Sequence, residues 1–70
     1  MKKIVTVSSN QRVLETVKKS CELYAAFFDC EIFGTTESAI RYINYEMPEI
    51  KVLDYTSQNI DCNKILESIN

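Results

Sequence analysis

Asp54 is the residue of this chain best placed to do chemistry. It follows Ile50, Lys51, Val52 and Leu53, a run with the composition of a short buried β-strand. In open α/β sheets, functional groups gather beyond the carboxyl ends of the strands, and Asp54 is expected to lie there. A carboxylate at such a place can accept a phosphoryl group or bind a hard cation. Either reaction needs partner residues, which the rest of the chain must supply.

Ser8, Ser9 and Asn10 follow the first apolar run, and we expect them to cap the helix that comes next. A hydroxyl nucleophile would need an activating base, and the chain has no histidine. The segment also lacks the glycines of a phosphate-binding loop. Both observations disfavour a small hydrolytic or nucleotide-binding enzyme.

The three cysteines, Cys21, Cys30 and Cys62, form no C-x-x-C pair. Without histidine, a zinc site of the usual Cys/His kind lacks ligands. We therefore predict free thiols in a reducing compartment and expect no metal or other cofactor.

Composition narrows the class of protein. Seventy residues, of which 46% are apolar and 26% charged, suit one small globular domain. The net charge of −2, without clustered Lys and Arg, argues against nucleic-acid binding by this domain. No apolar stretch reaches the roughly 18–20 residues of a membrane span, and the first apolar run is too brief for a signal peptide. We predict a soluble, cytoplasmic protein.

Apolar periodicity predicts three strands that alternate with three helices. The predicted strands cover residues 3–7, 29–33 and 50–54. The first helix is expected over residues 11–28, the second between a Thr35 or Thr36 cap and Pro48, and the third after an Asp61 cap. Apolar residues at steps of three and four are expected to face the core: Val13, Leu14, Val17, Cys21, Tyr24, Ala25 and Phe28, then Ala39, Ile40, Ile43 and Met47, then Ile65, Leu66 and Ile69. Such alternation predicts an α/β fold with a parallel sheet and helices on both faces.

Several motifs in this frame resemble the receiver domains of two-component response regulators. In that family the third strand often follows a proline and an acidic residue and ends in the phosphoacceptor aspartate. Here Pro48 and Glu49 precede the third predicted strand and Asp54 ends it. The stretch from Gly34 to Ile40 is similar to the family's connection between second strand and second helix.

The family's later motifs keep their spacing here, but a proline and a glycine are lost. A proline commonly stands four residues after the aspartate, and an Asp-Gly pair opens the third helix. Here those places hold Gln58 and the pair Asp61-Cys62.

The resemblance covers residues 1–70, about the first three-fifths of a receiver, as a single domain. It implies a truncated flavodoxin-like fold, a three-layer (βα)3 arrangement with parallel strand order 2-1-3.

Receivers bind Mg²⁺ through an acidic pair after the first strand, through the phosphoacceptor, and through a backbone carbonyl two residues later. Here Ser8 and Ser9 replace the acidic pair, while Thr56 supplies the carbonyl. The family's lysine and switch hydroxyl lie on later strands. The resemblance therefore implies that Asp54 is a vestigial phosphoacceptor, hydrogen-bonded to the serines or to nearby amides, in a non-catalytic pseudo-receiver without Mg²⁺.

In a sheet of order 2-1-3 the third strand is an edge, which would leave Ile50, Val52 and Leu53 open to another chain. A core of this size contributes only roughly 3–5 kcal/mol, so a partner would add stability. We predict a homodimer or a larger homo-oligomer through this edge, for example by antiparallel pairing of third strands about a two-fold axis.

Two alternatives stay open. The chain can be part of a phosphorylatable receiver, with Asp54 as phosphoacceptor and Mg²⁺ as cofactor. It can also be a small α/β enzyme or nucleotide binder unrelated to receivers.

Overall fold

A computed structural model describes residues 1–69 of the chain. Strands and helices alternate, as the sequence predicts. They are β1 (Lys2–Val7), α1 (Gln11–Leu23), β2 (Phe28–Phe33), α2 (Thr36–Glu46), β3 (Ile50–Leu53) and α3 (Cys62–Ser68). None of these helices has the length and apolar content needed to cross a bilayer.

The three strands form one parallel sheet in the order β2-β1-β3, so the predicted order 2-1-3 is confirmed. The central strand β1 pairs with β2 along its whole length, from Lys2 opposite Phe28 to Val7 opposite Phe33. Its second half pairs with β3, from Ile4 opposite Ile50 to Val7 opposite Leu53. Both outer strands therefore have one edge without a neighbouring strand among residues 1–69.

The main core lies on the face of the sheet that α2 and α3 cover. Alternate side chains of β1 point to this face, and Val5 and Val7 are fully buried there. The core residues are Val5, Val7, Ala39, Ile43, Ile60, Cys62 and Ile65, with Phe33, Ile40, Tyr42, Leu53 and Ile69 packed against them. This side holds the buried apolar contacts that keep the three strand ends together.

Helix α1 packs on the opposite face and completes the three layers, although none of its residues is fully buried. One helix is about 10 Å wide and strands lie about 4.8 Å apart, so α1 covers roughly two of the three strands. As a result Ile50 is 43% exposed and Val52 is 46% exposed on this face. The prediction of a buried third strand was wrong for these two residues.

The first helix is shorter than predicted. It ends at Leu23, a turn runs through residues 24–27, and Phe28 already belongs to β2. The backbone N–H groups of Phe27 and Phe28 both donate to the carbonyl of Tyr24. A 13-residue helix is about 20 Å long, the length of a six-residue strand, so a longer α1 would overshoot the start of β2. Tyr24 and Ala25, predicted to face the core, are exposed in the turn.

Two other inward predictions were wrong. Met47 follows the last turn of α2 in a left-handed conformation (φ 48°), and its side chain is 75% exposed. Leu66 lies on the outer side of α3, while Ile65 is fully buried. The spacing of apolar residues could not distinguish Ile65 from Leu66, because α3 has only seven residues.

Candidate functional site

The carboxyl ends of β1 and β3 bring Ser8 and Asp54 together. Val7 and Leu53 are paired in register, so the residues that follow them lie side by side. The Asp54 amide donates to the Val7 carbonyl at 3.0 Å, and the Ser8 amide donates to the Phe33 carbonyl at 3.1 Å. Asp54 therefore stands where the sequence places it, at the carboxyl end of the sheet.

Each oxygen of the Asp54 carboxylate accepts two hydrogen bonds from protein groups. Oδ2 accepts from Ser8 Oγ at 2.7 Å and from Ser57 Oγ at 3.0 Å. Oδ1 accepts from Thr56 N at 3.0 Å and from Thr56 Oγ1 at 2.5 Å. We call Ser8, Asp54, Thr56 and Ser57 the hydroxyl cluster, because three hydroxyl groups surround one carboxylate.

The loop after β3 folds back on Asp54 through local hydrogen bonds. The Ser57 amide donates to the Asp54 carbonyl at 3.2 Å, while the Thr56 amide donates to the Asp54 side chain. This is an Asx turn, in which the side-chain oxygen of an Asp accepts a hydrogen bond from the backbone N–H two residues later. The segment Asp-Tyr-Thr-Ser carries that signal in the sequence, and the roles of the Thr56 and Ser57 hydroxyls were missed.

The hydroxyl cluster also fixes the start of α1. Ser8 is fully buried, and its Oγ accepts from the Asn10 amide at 3.0 Å. The Ser9 amide donates to Ser57 Oγ at 3.0 Å. Asn10 Oδ1 then caps the helix by accepting from the amides of Arg12 and Val13. The capping prediction is confirmed for Asn10. The Ser8 hydroxyl donates to Asp54 instead, and this is the hydrogen bond that was predicted between Asp54 and the serines.

The hydrogen bonds stabilise the ionised form of Asp54. They lower its pKa from 3.8 to about 2, with the Thr56 hydroxyl contributing most and the Ser8 hydroxyl next. No cation contributes from within residues 1–69, where the one ion pair joins Lys3 to Glu46 near the opposite end of β1. Dipoles of hydroxyl and amide groups therefore stabilise this negative charge.

The cluster does not fit a Mg²⁺ site. Mg²⁺ requires near-octahedral oxygen coordination and is usually held by one or two carboxylates. Asp54 is the sole carboxylate of the cluster, and both of its oxygens accept two hydrogen bonds each from hydroxyl and amide groups. Within the described part of the chain, no three His, Cys, Asp or Glu side chains are arranged to hold a metal ion.

The three residues expected at an interface differ in exposure. Ile50 and Val52 are open to solvent on the α1 face of the sheet. Leu53 is half-buried on the opposite face, where it packs against the core that α2 and α3 cover. The involvement of all three in an interface stays a prediction.

The three cysteines are free thiols, and Cys62 donates through Sγ to the Asp54 backbone carbonyl at 3.6 Å. Cys21 and Cys30 are half-buried between α1 and β2, where burial and the neighbouring Cys30 thiol raise the pKa of Cys21 to about 11. Cys62 is buried, and burial together with the charges of Asp54 and Asp61 raises its pKa. Raised pKa values keep both thiols protonated and make them poor nucleophiles at neutral pH.

No family model, curated protein or solved structure matches this chain.

Proposed function

We propose that this chain is a non-catalytic, receiver-like signalling module that acts through contacts with other protein chains. The observation that carries the proposal is the hydrogen bonding of Asp54. Four donors from three residues occupy the carboxylate, and two of those residues, Ser8 and Ser57, are buried. The aspartate thus serves as a structural acceptor that joins β1 to the loop after β3.

Phosphoryl transfer to Asp54 would need changes at both reacting partners. A carboxylate oxygen would have to give up hydrogen bonds before its lone pair could attack phosphorus. The phosphoryl oxygens would also need a metal ion or a basic side chain to balance their charge. The hydroxyl cluster contains neither a second carboxylate nor a basic residue, which supports a non-catalytic role.

The apolar surface of β3 supports action through protein contacts. Ile50 and Val52 are adjacent on one face of an edge strand and together expose apolar area that a soluble chain usually covers. Binding by another chain would remove this area from water. A homodimer through β3 is the simplest form of such a contact.

A titration with beryllofluoride and Mg²⁺, followed by the ¹⁵N-amide NMR signals of Thr56 and Ser57, tests the non-catalytic role. Beryllofluoride binds aspartate as a phosphoryl mimic when a metal site is present, so we expect no saturable shift of either amide signal. A Ser8→Asp, Ser9→Asp double variant supplies the missing carboxylates, and we expect Mg²⁺ to shift the same signals there.

Saturable shifts in the unmodified chain that disappear in Asp54→Asn would overturn the non-catalytic role. They would instead favour a phosphorylatable receiver with Asp54 as phosphoacceptor. Shifts that persist in Asp54→Asn would place the bound anion elsewhere and would leave the proposal standing.

A further inference from the structure

Within residues 1–69 the sheet has two edges without a neighbouring strand, and these edges carry different charges. On the α2 side of the sheet, β2 presents Asp29 and Glu31, which alternate with residues of the other face. At the opposite edge, Glu49 and Lys51 are two residues apart and therefore lie on the same face of the sheet, the one that α2 covers. This edge thus carries one acidic and one basic residue on that face. The edges therefore differ in what they can pair with.

A second copy of β2 is a poor partner for β2. In an antiparallel pair related by a two-fold axis, residues directly opposite each other lie on the same face of the sheet. When the two-fold axis passes beside Cys30, Asp29 of each copy lies opposite Glu31 of the other. When it passes beside Asp29 or Glu31, that residue lies opposite its own copy. Like charges directly opposite each other destabilise a strand pair. Self-association through this edge is therefore disfavoured.

The β3 edge has one register in which its charges are complementary. When the two-fold axis passes beside Ile50, Glu49 of each copy lies opposite Lys51 of the other, and Ile50 lies opposite its own copy. When the axis passes beside Lys51 instead, two lysines oppose each other. An axis beside Val52 sets Lys51 opposite Leu53, which forms no ion pair. Of these three registers, the one centred on Ile50 alone gains attraction between opposite charges.

The side chains concerned are available for such contacts. Glu49, Ile50 and Lys51 are all exposed, and the single ion pair within residues 1–69 involves neither Glu49 nor Lys51. Among the described residues 1–69, the Lys51 ammonium donates only to the nearby Pro48 carbonyl, at 3.0 Å, and Glu49 accepts from the Lys3 amide through Oε2. Each group can therefore turn to a partner of opposite charge at small cost.

Helix α1 leaves room for this arrangement. In-plane pairing of two β3 strands sets the two α1 helices on the same face, about four strand spacings or roughly 19 Å apart. Helices are about 10 Å wide, so the two do not collide. The exposed Ile50 and Val52 side chains of both copies would then form one continuous apolar strip between the helices.

We propose that two copies of this chain pair antiparallel through β3, in the register centred on Ile50, with reciprocal Glu49–Lys51 ion pairs. The occupant of the β3 edge is thus a second copy of the chain. This inference rests on the proposed contact function and specifies its partner and register.

Charge reversal tests the register. Lys51→Glu and Glu49→Lys each replace two attractive pairs by two repulsive ones, so each variant should raise the dimer dissociation constant roughly tenfold or more in sedimentation equilibrium. The double variant Glu49→Lys, Lys51→Glu restores opposite charges across the edge, and its dissociation constant should return to within about threefold of the original. Lys18→Glu, an equal change of charge on exposed α1, should leave the constant unchanged.

Circular dichroism of each variant verifies that it is folded, since all three positions are exposed. A double variant that dimerises as weakly as the two single variants overturns the Ile50 register. A dimer that none of the β3 variants weakens overturns pairing through this edge and leaves a contact elsewhere on the molecule. A monomer at all concentrations overturns the homodimer. None of these results bears on the non-catalytic role of Asp54, which the beryllofluoride titration decides separately.

Discussion

Asp54 has the position of a reactive group and the surroundings of a structural one. Its side chain receives hydrogen bonds from β1, through Ser8, and from its own loop, through Thr56 and Ser57. A carboxylate with four donors is held in place, because each of its oxygens already accepts two hydrogen bonds. At the scale of single residues, the Ser8 hydroxyl and the loop hydroxyls make Asp54 a cross-link between the end of β1 and the loop after β3.

Removal of the Ser8 hydroxyl should weaken this cross-link. Ser8→Ala deletes a donor to Asp54 and an acceptor of the Asn10 amide in a fully buried place. We expect the free energy of unfolding, measured by urea denaturation, to fall by about 1–2 kcal/mol. Ser9 reaches the cluster through its backbone amide, so Ser9→Ala is the matched control and should change stability much less. Equal losses in the two variants would contradict a structural role of the Ser8 hydroxyl.

The stability of the protein should fall in acid because of Asp54. The carboxyl group has a pKa of about 2 when folded and its ordinary value of 3.8 when unfolded, so the unfolded chain binds the proton more tightly. The contribution of Asp54 is therefore complete above about pH 4 and is lost as the pH falls toward about 2. Urea midpoints measured across this range should fall less steeply in Asp54→Asn than in the unmodified protein. Parallel curves would assign the acid sensitivity to other groups.

At the scale of secondary structure, the ends of α1 and α2 have different physical causes. Sequence periodicity continues past Leu23, but α1 ends there because the chain must return to the start of β2. Helix α2 ends in a left-handed residue, Met47, a conformation that favours glycine. The end of α1 thus follows from the position of β2, and the end of α2 is marked by a change of backbone conformation at Met47.

Met47→Gly should stabilise the protein. Met47 adopts φ 48° and is largely exposed, so glycine removes backbone strain and little buried apolar area. We expect the free energy of unfolding to rise by roughly 0.5–1 kcal/mol. Met47→Ala keeps the strain and should bring no gain, which makes it the control. A glycine variant no more stable than the alanine variant would show that the left-handed conformation costs little.

On the scale of the whole molecule, the two faces of the sheet are unequal. Among the described residues, seven buried side chains form the core that α2 and α3 cover, while α1 alone leaves Ile50 and Val52 open on the other side. A chain with one thin core and an open apolar edge gains stability when a second chain covers that edge.

If two copies pair as proposed, the thermal midpoint should rise with protein concentration, because mass action would stabilise the folded, paired state. Val52→Lys places a charge on the exposed apolar strip of β3 and should remove most of this concentration dependence. Tyr45→Lys makes the same change of charge at an exposed aromatic residue of α2 and should leave the dependence intact. Differential scanning calorimetry over a hundredfold range of concentration measures both. A midpoint independent of concentration in the unmodified protein would argue against association.

The sequence by itself determined the alternation of strands and helices, the parallel sheet, the cap at Asp61 and the place of Asp54. For the first two helices it offered several capping residues, and the structure selects Asn10 and Thr35 among them. Local periodicity and the capping residues can be seen directly in the order of residues. The parallel sheet then follows, because strands that alternate with helices are joined by crossover connections.

Only the tertiary structure decided which of these residues meet. Ser57 is 49 residues away from Ser8 in sequence, and no local pattern indicates that their hydroxyl groups lie 3.1 Å apart beside one carboxylate. The exposure of Val52 likewise depends on how much of the sheet α1 covers, which is a property of packing between elements. The chemistry of Asp54 follows from such long-range contacts, because they determine whether its oxygens are free or occupied.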